Sequence, residues 1–187
     1  IIQAQVKGRR LGVTLDRELK IAHRVQFHPH TTAVVASSDP SKTAKMAQMI
    51  ERAWAHQPWF LMPRITGYQK GEQIDFASTD CHLLLQWGNQ QTGMARGDTP
   101  QVVHLSEVAE FLNPDELIDA ALIRAVLDTP WTFLVLEGTA ARRHDWWHKT
   151  WLWAKDHWED GRSRLRPVFL PYFVGVVPPT SPALAAA

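Results

Sequence analysis

The residues of this chain best suited to chemistry near its start are Lys7–Thr14, KGRRLGVT, which follow a strand-like run from Ile1 to Val6. A short strand, a turn with a glycine at each end and a hydroxyl residue opening a helix is how backbone wraps an oxyanion. The N–H groups of the turn and the positive end of the helix both meet the anion. Lys7 and one of the arginines add point charge, and Thr14 stands where a hydroxyl can ligate magnesium. The candidate phosphate-binding set is therefore Lys7, Gly8, Arg9, Arg10, Leu11, Gly12, Val13 and Thr14. The octet departs from the common phosphate loop, because its lysine leads the motif and Val13 holds the usual lysine place. A basic turn ahead of an amphipathic helix is the plainer reading of the same residues.

The elements that must position this octet alternate between strand and helix, which argues for a largely parallel sheet with helices on both faces. Strands are expected at Ile1–Lys7, Thr31–Ser38, Glu72–Ala77, His82–Gln90, Gln101–Ser106, Trp131–Leu136 and Pro167–Val174. Helices are expected at Thr14–Phe27, at Ser41–His56 behind the start signal Ser38-Asp39-Pro40, from Asn113 to Leu127, and at about His144–Glu159. Pro58–Gly71 and Thr92–Pro100 read as loops, and WTFLVL (Trp131–Leu136) as the central strand. Residues 1–177 form one expected core, and the Pro- and Ala-rich 178–187 a disordered tail.

Three strand ends carry polar residues: KGRRLGVT after the first, Ser106-Glu107 after QVVHL, and Glu137-Gly138-Thr139 after WTFLVL. In a parallel sheet these ends share one edge, where ligands bind. Phosphate turn, carboxylate and Glu-Gly-Thr tip together make the layout of an additional-strand (ASCE) nucleoside triphosphatase. The expected fold is thus an α/β, P-loop NTPase-like three-layer sandwich with a mostly parallel central sheet. Glu107 would polarise the attacking water, and Glu137–Thr139 would sense the γ-phosphate. Taken singly, Glu107 reads better as a carboxylate stabilising a helix N-terminus, and only the alignment of the three strand ends reverses that.

These segments resemble the ATPase (packaging motor) domain of the large terminase subunit of tailed bacteriophages, over about Ile2 to Gly175. KGRRLGVT resembles the terminase phosphate loop. Arg96-Gly97-Asp98-Thr99 and Val102–Phe111 (VVHLSEVAEF) resemble the segments around the second motif, and Phe133–Ala140 (FLVLEGTA) the coupling motif. Trp153–Val174 is similar to the region where a short helix leads into a strand with a Phe-x-Pro-aromatic turn. The resemblance implies ATP hydrolysis with Mg2+ and catalytic roles for Glu107 and for Arg96, the latter as a finger reaching a neighbouring subunit's nucleotide. A loop arginine fixing its turn is the plainer role for Arg96. It implies coupling through Glu137, Gly138 and Thr139, and metal binding by Thr14. Ser106 falls where relatives carry a magnesium-holding aspartate. The implied partners are double-stranded DNA, the portal protein, the small terminase subunit and further copies in a ring, in the host cytoplasm and without a membrane. The resemblance covers an ATPase core without the N-terminal adenine-binding segment or the C-terminal nuclease domain. A non-catalytic packaging module and a helicase-like translocase are the alternatives, the first favoured by Val13 and Ser106.

Composition bounds these readings. With 187 residues and a formal net charge of +1, the chain has no global pull on a polyanion, so any nucleic-acid contact must come from a local patch. The single cysteine, Cys81, excludes an internal disulfide. Five of the nine tryptophans fall at Trp146, Trp147, Trp151, Trp153 and Trp158, either packed on the sheet or forming a platform for bases. His28, His30, Cys81 and His82 are metal-friendly types whose spacing does not force convergence. His104, inside an apolar strand, reads as a satisfied buried residue.

Overall fold

The computed structural model describes residues 2–69, 72–88, 94–95, 97–126 and 129–171. Its centre is an eight-stranded sheet of order β3-β4-β5-β2-β6-β7-β1-β8. The strands are β1 (Ile2–Lys7), β2 (Thr32–Ser37), β3 (Ile65–Gln69), β4 (Gln73–Phe76), β5 (Cys81–Trp87), β6 (Val102–Ser106), β7 (Phe133–Gly138) and β8 (Arg166–Leu170). Six strands from β5 to β8 run parallel, and β3–β4 close one edge as an antiparallel hairpin. The helices are α1 (Val13–Phe27), α2 (Pro40–Ala55), a π-helix (Asp115–Leu122) that continues into α3 (Ile123–Ala125), and α4 (Trp146–His157).

Alternation along the strands sorts the core into two layers. Ala33, Val35, Leu83, Leu85 and Val102 pack against Ile21, Ala22 and Val25 of α1 and against Met46, Ala47, Ile50 and Trp54 of α2. Val34, Ala36, Val103, Leu105, Leu134 and Leu136 face the other way, onto Ile118 and Leu122 of the π-helix and Trp147 and Ala154 of α4. Both faces of the sheet are covered, which is why β6 is buried throughout and β7 nearly so. Asp39 caps α2 through Ser41 N at 2.9 Å and Lys42 N at 3.1 Å, and Asp145 caps α4 through His148 N at 2.7 Å.

Three boundaries differ from the sequence reading. β3 lies inside the segment expected as loop, because hydrogen bonding to β4 makes a strand of residues whose own pattern is broken by Pro63 and Gly67. β7 begins at Phe133, since Thr132 N bonds to Thr129 O at 3.0 Å in a turn that takes up Trp131. It runs on through Glu137 and Gly138, which pair with Gln5 and Val6 of β1 rather than opening a loop. The expected tail over 178–187 and the end of the helix at Leu127 lie outside the described residues.

Candidate functional site

Parallel pairing brings the three polar strand tips to one rim. β7 lies between β1 and β6, with Ser106 opposite Glu137 and Glu137 opposite Gln5. A cavity of about 320 Å³ opens there, lined by Lys7, Arg9 and Arg10 after β1, by Ser106 and Glu107 after β6, and by Thr139 after β7. Ser37 of β2, Lys42 and Lys45 of α2, and Glu110 complete its polar wall. Five cations face two carboxylates around this space, so it favours an anion. Lys42 is engaged by Glu110 and by Ser38 Oγ at 2.9 Å. The hydrogen bond from Lys42 holds the Glu110 carboxyl below its usual range.

The phosphate-loop candidate is a turn followed by a helix. Gly8 N bonds to Leu170 O at 2.8 Å, extending the β1–β8 pairing, and Gly12 is the N-cap of α1 at φ 71. Only a residue without a Cβ takes that left-handed conformation cheaply. Gly12 offers no side-chain cap, so the first amides of α1, beginning at Val13, have no side-chain acceptor at the N-cap. Arg10 at φ 61 and Glu107 at φ 58 are left-handed non-glycine residues on the wall of the same cavity. Glu107 precedes the 3-10 turn Val108–Glu110 and makes no side-chain cap to it.

Beneath the rim, Glu137 is fully buried and one of its oxygens gathers four groups. Glu137 Oε1 accepts from Thr14 Oγ1 at 2.6 Å and Ser106 Oγ at 2.8 Å, and pairs with Lys7 Nζ at 3.1 Å. His104 Nε2 stands 3.4 Å away, while His104 Nδ1 meets Glu18 Oε1 of α1 at 2.5 Å. Burial opposes the charge of His104, but Glu18 and Glu137 outweigh it and raise its pKa to about 9. Burial likewise opposes ionisation of Glu137, yet His104, Lys7 and Thr14 lower its pKa to about 2. Glu18 is pushed up by burial, only partly offset by His104.

Glu137 Oε2 is buried without a partner. The Thr14 and Ser106 hydroxyls both bond to the other oxygen, Oε1, beside the Lys7 ammonium, and with Lys7 drawn away such hard oxygens suit Mg2+. The donor set therefore fits the metal, with Thr14 and Ser106 as the residues that would hold it. Lys7 Nζ also reaches Thr14 Oγ1 at 3.0 Å, while Val13 is buried.

Most sequence-derived candidates thus meet at one site: Lys7, Arg9, Arg10, Ser106, Glu107 and Thr139 on the cavity wall, Thr14 and Glu137 directly below. Gly138 lies in β7 under the Trp147 indole, where an added Cβ would come 3.0 Å from Nε1, so packing alone accounts for this glycine. Arg96 lies outside the described residues. Sequence reasoning missed Lys42, Lys45, Glu110 and the Glu18–His104 pair. The α2 start signal at Asp39 could have placed the two lysines on this rim. Elsewhere, Trp147 is buried and Trp151 donates to Val168 O at 3.2 Å, as packing requires. Cys81 Sγ contacts His28 O at 3.1 Å. Among the described residues no three His, Cys, Asp or Glu side chains gather to hold a metal.

A mostly parallel sheet, helices on both faces and an extra strand between the phosphate-turn strand and the carboxylate strand define the P-loop-like ATPase fold. Solved structures place the chain more narrowly. The HK97 bacteriophage large terminase aligns with 90% of this chain at TM-score 0.65 and 16% identity. The large terminase of a thermophilic bacteriophage, solved in complex with ATP-γ-S, aligns with 89% of it at TM-score 0.62 and 15% identity. The large terminase ATPase domain of Thermus phage P74-26 aligns with 91% of it at TM-score 0.58 and 12% identity, and 74% of that domain is covered. The fold is that of a phage large-terminase ATPase domain. The chain spans 35% of the HK97 protein and 38% of the terminase solved with ATP-γ-S. No protein-family model and no curated protein matches the sequence.

Proposed function

We propose that this chain is the ATP-hydrolysing core of a motor that drives double-stranded DNA into a phage procapsid. The observation that carries the reading is the single basic cavity shared by the tips of β1, β6 and β7, with Glu107 on its wall. The terminase-like fold and the ATP-γ-S complex of the thermophilic bacteriophage's terminase support it.

In this reading Lys7, Arg9 and Arg10 hold the β- and γ-phosphates together with the amides that open α1. Lys7 exchanges its contact with Glu137 for a phosphate oxygen. Glu107 orients the attacking water. The Thr14 and Ser106 hydroxyls would hold Mg2+, which would supply charge that offsets that of the phosphates. Glu137, Gly138 and Thr139 carry the loss of γ-phosphate into β7, since Glu137 is bonded at once to the phosphate turn and to β6. Arg96 acts across a subunit boundary in a homo-oligomeric ring. The partners are the portal protein and the small terminase subunit, in the host cytoplasm. Among the described residues no helix is long and apolar enough to cross a membrane.

A second reading, a non-catalytic packaging module, is favoured by Lys7 being engaged by Glu137 and Thr14 and by a serine at position 106. Magnesium-dependent ATP binding and turnover decide between the two. The first reading expects Glu107→Gln to bind Mg-ATP normally while turnover falls by about 10²-fold or more. Turnover that survives this substitution removes Glu107 from its role. Failure of the unaltered chain to bind Mg-ATP selects the second reading.

A further inference from the structure

A cavity at the opposite rim of the sheet, where β1, β6 and β7 begin, has no part in the site above. It measures about 480 Å³ and is lined by Gln3, Val102 and Phe133 from the strands, by Arg17, Lys20 and Arg24 from α1, and by Trp131. The three cations recur at helical spacing along one face of α1. Arg24 stacks over the Trp131 ring at 5.7 Å and Arg17 over Phe133 at 5.7 Å. Trp131 remains 69% exposed, unusual for so large an apolar ring.

Gln3, Arg17 and Arg24 of its wall each also carry a buried polar atom without a partner, Oε1, Nε and Nε respectively. No carboxylate lines it among the described residues. Asp16, on the exposed side of α1, pairs with Arg17 at 3.2 Å and Lys20 at 2.8 Å, and such surface pairs exchange readily for another anion.

The geometry points to a binding site for a nucleotide unit with an unpaired base. The base lies against Trp131 and Phe133, its edge meets the Gln3 and arginine groups, and its phosphate pairs with Lys20 and Arg24. A bare phosphate would leave the aromatic wall unused. An acidic peptide would match the cations but not the ring. A base-paired duplex would present phosphate while keeping its base faces stacked. In a chain of net charge +1, this is a local patch able to hold nucleic acid. The site does not rest on ATP hydrolysis at the other rim.

The test is fluorescence anisotropy with a short labelled oligothymidine, its duplex with oligoadenosine, and unlabelled oligoglutamate and AMP as competitors. The strand is expected to bind more tightly than the duplex. Trp131→Ala and Arg24→Gln should each weaken it by roughly tenfold, as loss of one stacked base or one phosphate contact does. Lys20→Gln, at an exposed position, should weaken it without risk to folding, and Trp59→Ala, at an exposed ring elsewhere, should leave it unchanged. Displacement by AMP identifies the ligand as a free nucleotide, and its absence identifies a strand; either keeps the site. Equal binding of duplex and strand with Trp131→Ala unaffected would overturn the inference. So would displacement by oligoglutamate as effective as by unlabelled strand, or no binding of the strand at all.

Discussion

Replacing His104 with leucine removes an imidazolium held between two buried carboxylates. His104 is fully buried, with Glu18 Oε1 at 2.5 Å and Glu137 Oε1 at 3.4 Å. Glu137 would keep Lys7, Thr14 and Ser106 within 3.1 Å. Glu18, also fully buried and with Oε2 already unpartnered, would lose its cation outright. Leaving one member of a buried ion pair uncompensated costs about 3–5 kcal/mol. For a domain of this size each kcal/mol lowers Tm by about 2–4 °C, so the expected fall is roughly 6–20 °C. Burial already holds the Glu18 carboxyl above its usual range, and without His104 it would rise further. A carboxyl raised in the folded state favours folding at low pH, so His104→Leu should itself lose stability as pH climbs from 5 towards 8. Scanning calorimetry of the two single variants and of Glu18→Leu/His104→Leu measures the coupling. Replacing both partners with apolar groups should restore much of the loss, as it does for other buried pairs. A single-variant cost below about 1 kcal/mol, or a double variant as unstable as the two losses added, would refute the reasoning.

The unaltered chain should show a stability maximum on the mildly acidic side, checked by urea unfolding across pH. The His104 pKa is raised from 6.5 to about 9, so its contribution is complete below 6.5 and disappears as pH climbs through 9. The Glu137 pKa is lowered from 4.5 to about 2, so its contribution is complete above 4.5 and disappears as pH drops through 2. Glu18, raised by burial, adds to the loss as pH rises, and a flat profile from pH 5 to pH 9 would contradict the His104 and Glu18 assignments. At Gly88 an added Cβ would stand 2.6 Å from Cγ of the buried Phe111 ring. Gly88→Ala should therefore cost about 1–3 kcal/mol and lower Tm by roughly 2–12 °C in a thermal melt. An unchanged Tm would mean the ring moves aside freely.

The alternation of strand and helix was readable because parallel strands covered on both faces are apolar runs, and the helices between them carry clear start signals. What escaped was whatever depends on a neighbour. β3 is a half-exposed edge strand in a segment broken by Pro63 and Gly67, and only its pairing with β4 makes it a strand. Glu137 and Gly138 have the composition of a loop, yet the register with β1 carries β7 through both. The convergence of Lys7, Ser106, Glu107 and Thr139 was legible because strand direction alone sends those tips to one rim. The Glu18–His104 pair was not, since the two lie 86 positions apart and meet only once α1 is laid across β6. A histidine inside the apolar run VVHL was its one trace, enough to say that His104 is satisfied but not by what.

The backbone at the rim carries information that residue types did not. Arg10 and Glu107 adopt left-handed φ values of 61° and 58°, a region few non-glycine residues occupy, and neither is an Asn or Asp that visits it more readily. Each such residue costs of order 1 kcal/mol and persists only where its surroundings hold it. Those surroundings are present: Gly8 N is fastened to Leu170 O at 2.8 Å just before Arg10, and Glu110 N to Glu107 O at 2.9 Å just after the turn begins. Glycine would adopt either conformation more cheaply, but it would put no charge on the cavity wall. The chain keeps a guanidinium and a carboxylate where the backbone alone would favour their loss. His30, Asp80, Ala95 and His144 take the same conformation elsewhere, so what distinguishes Arg10 and Glu107 is that theirs leaves both charges on the cavity wall.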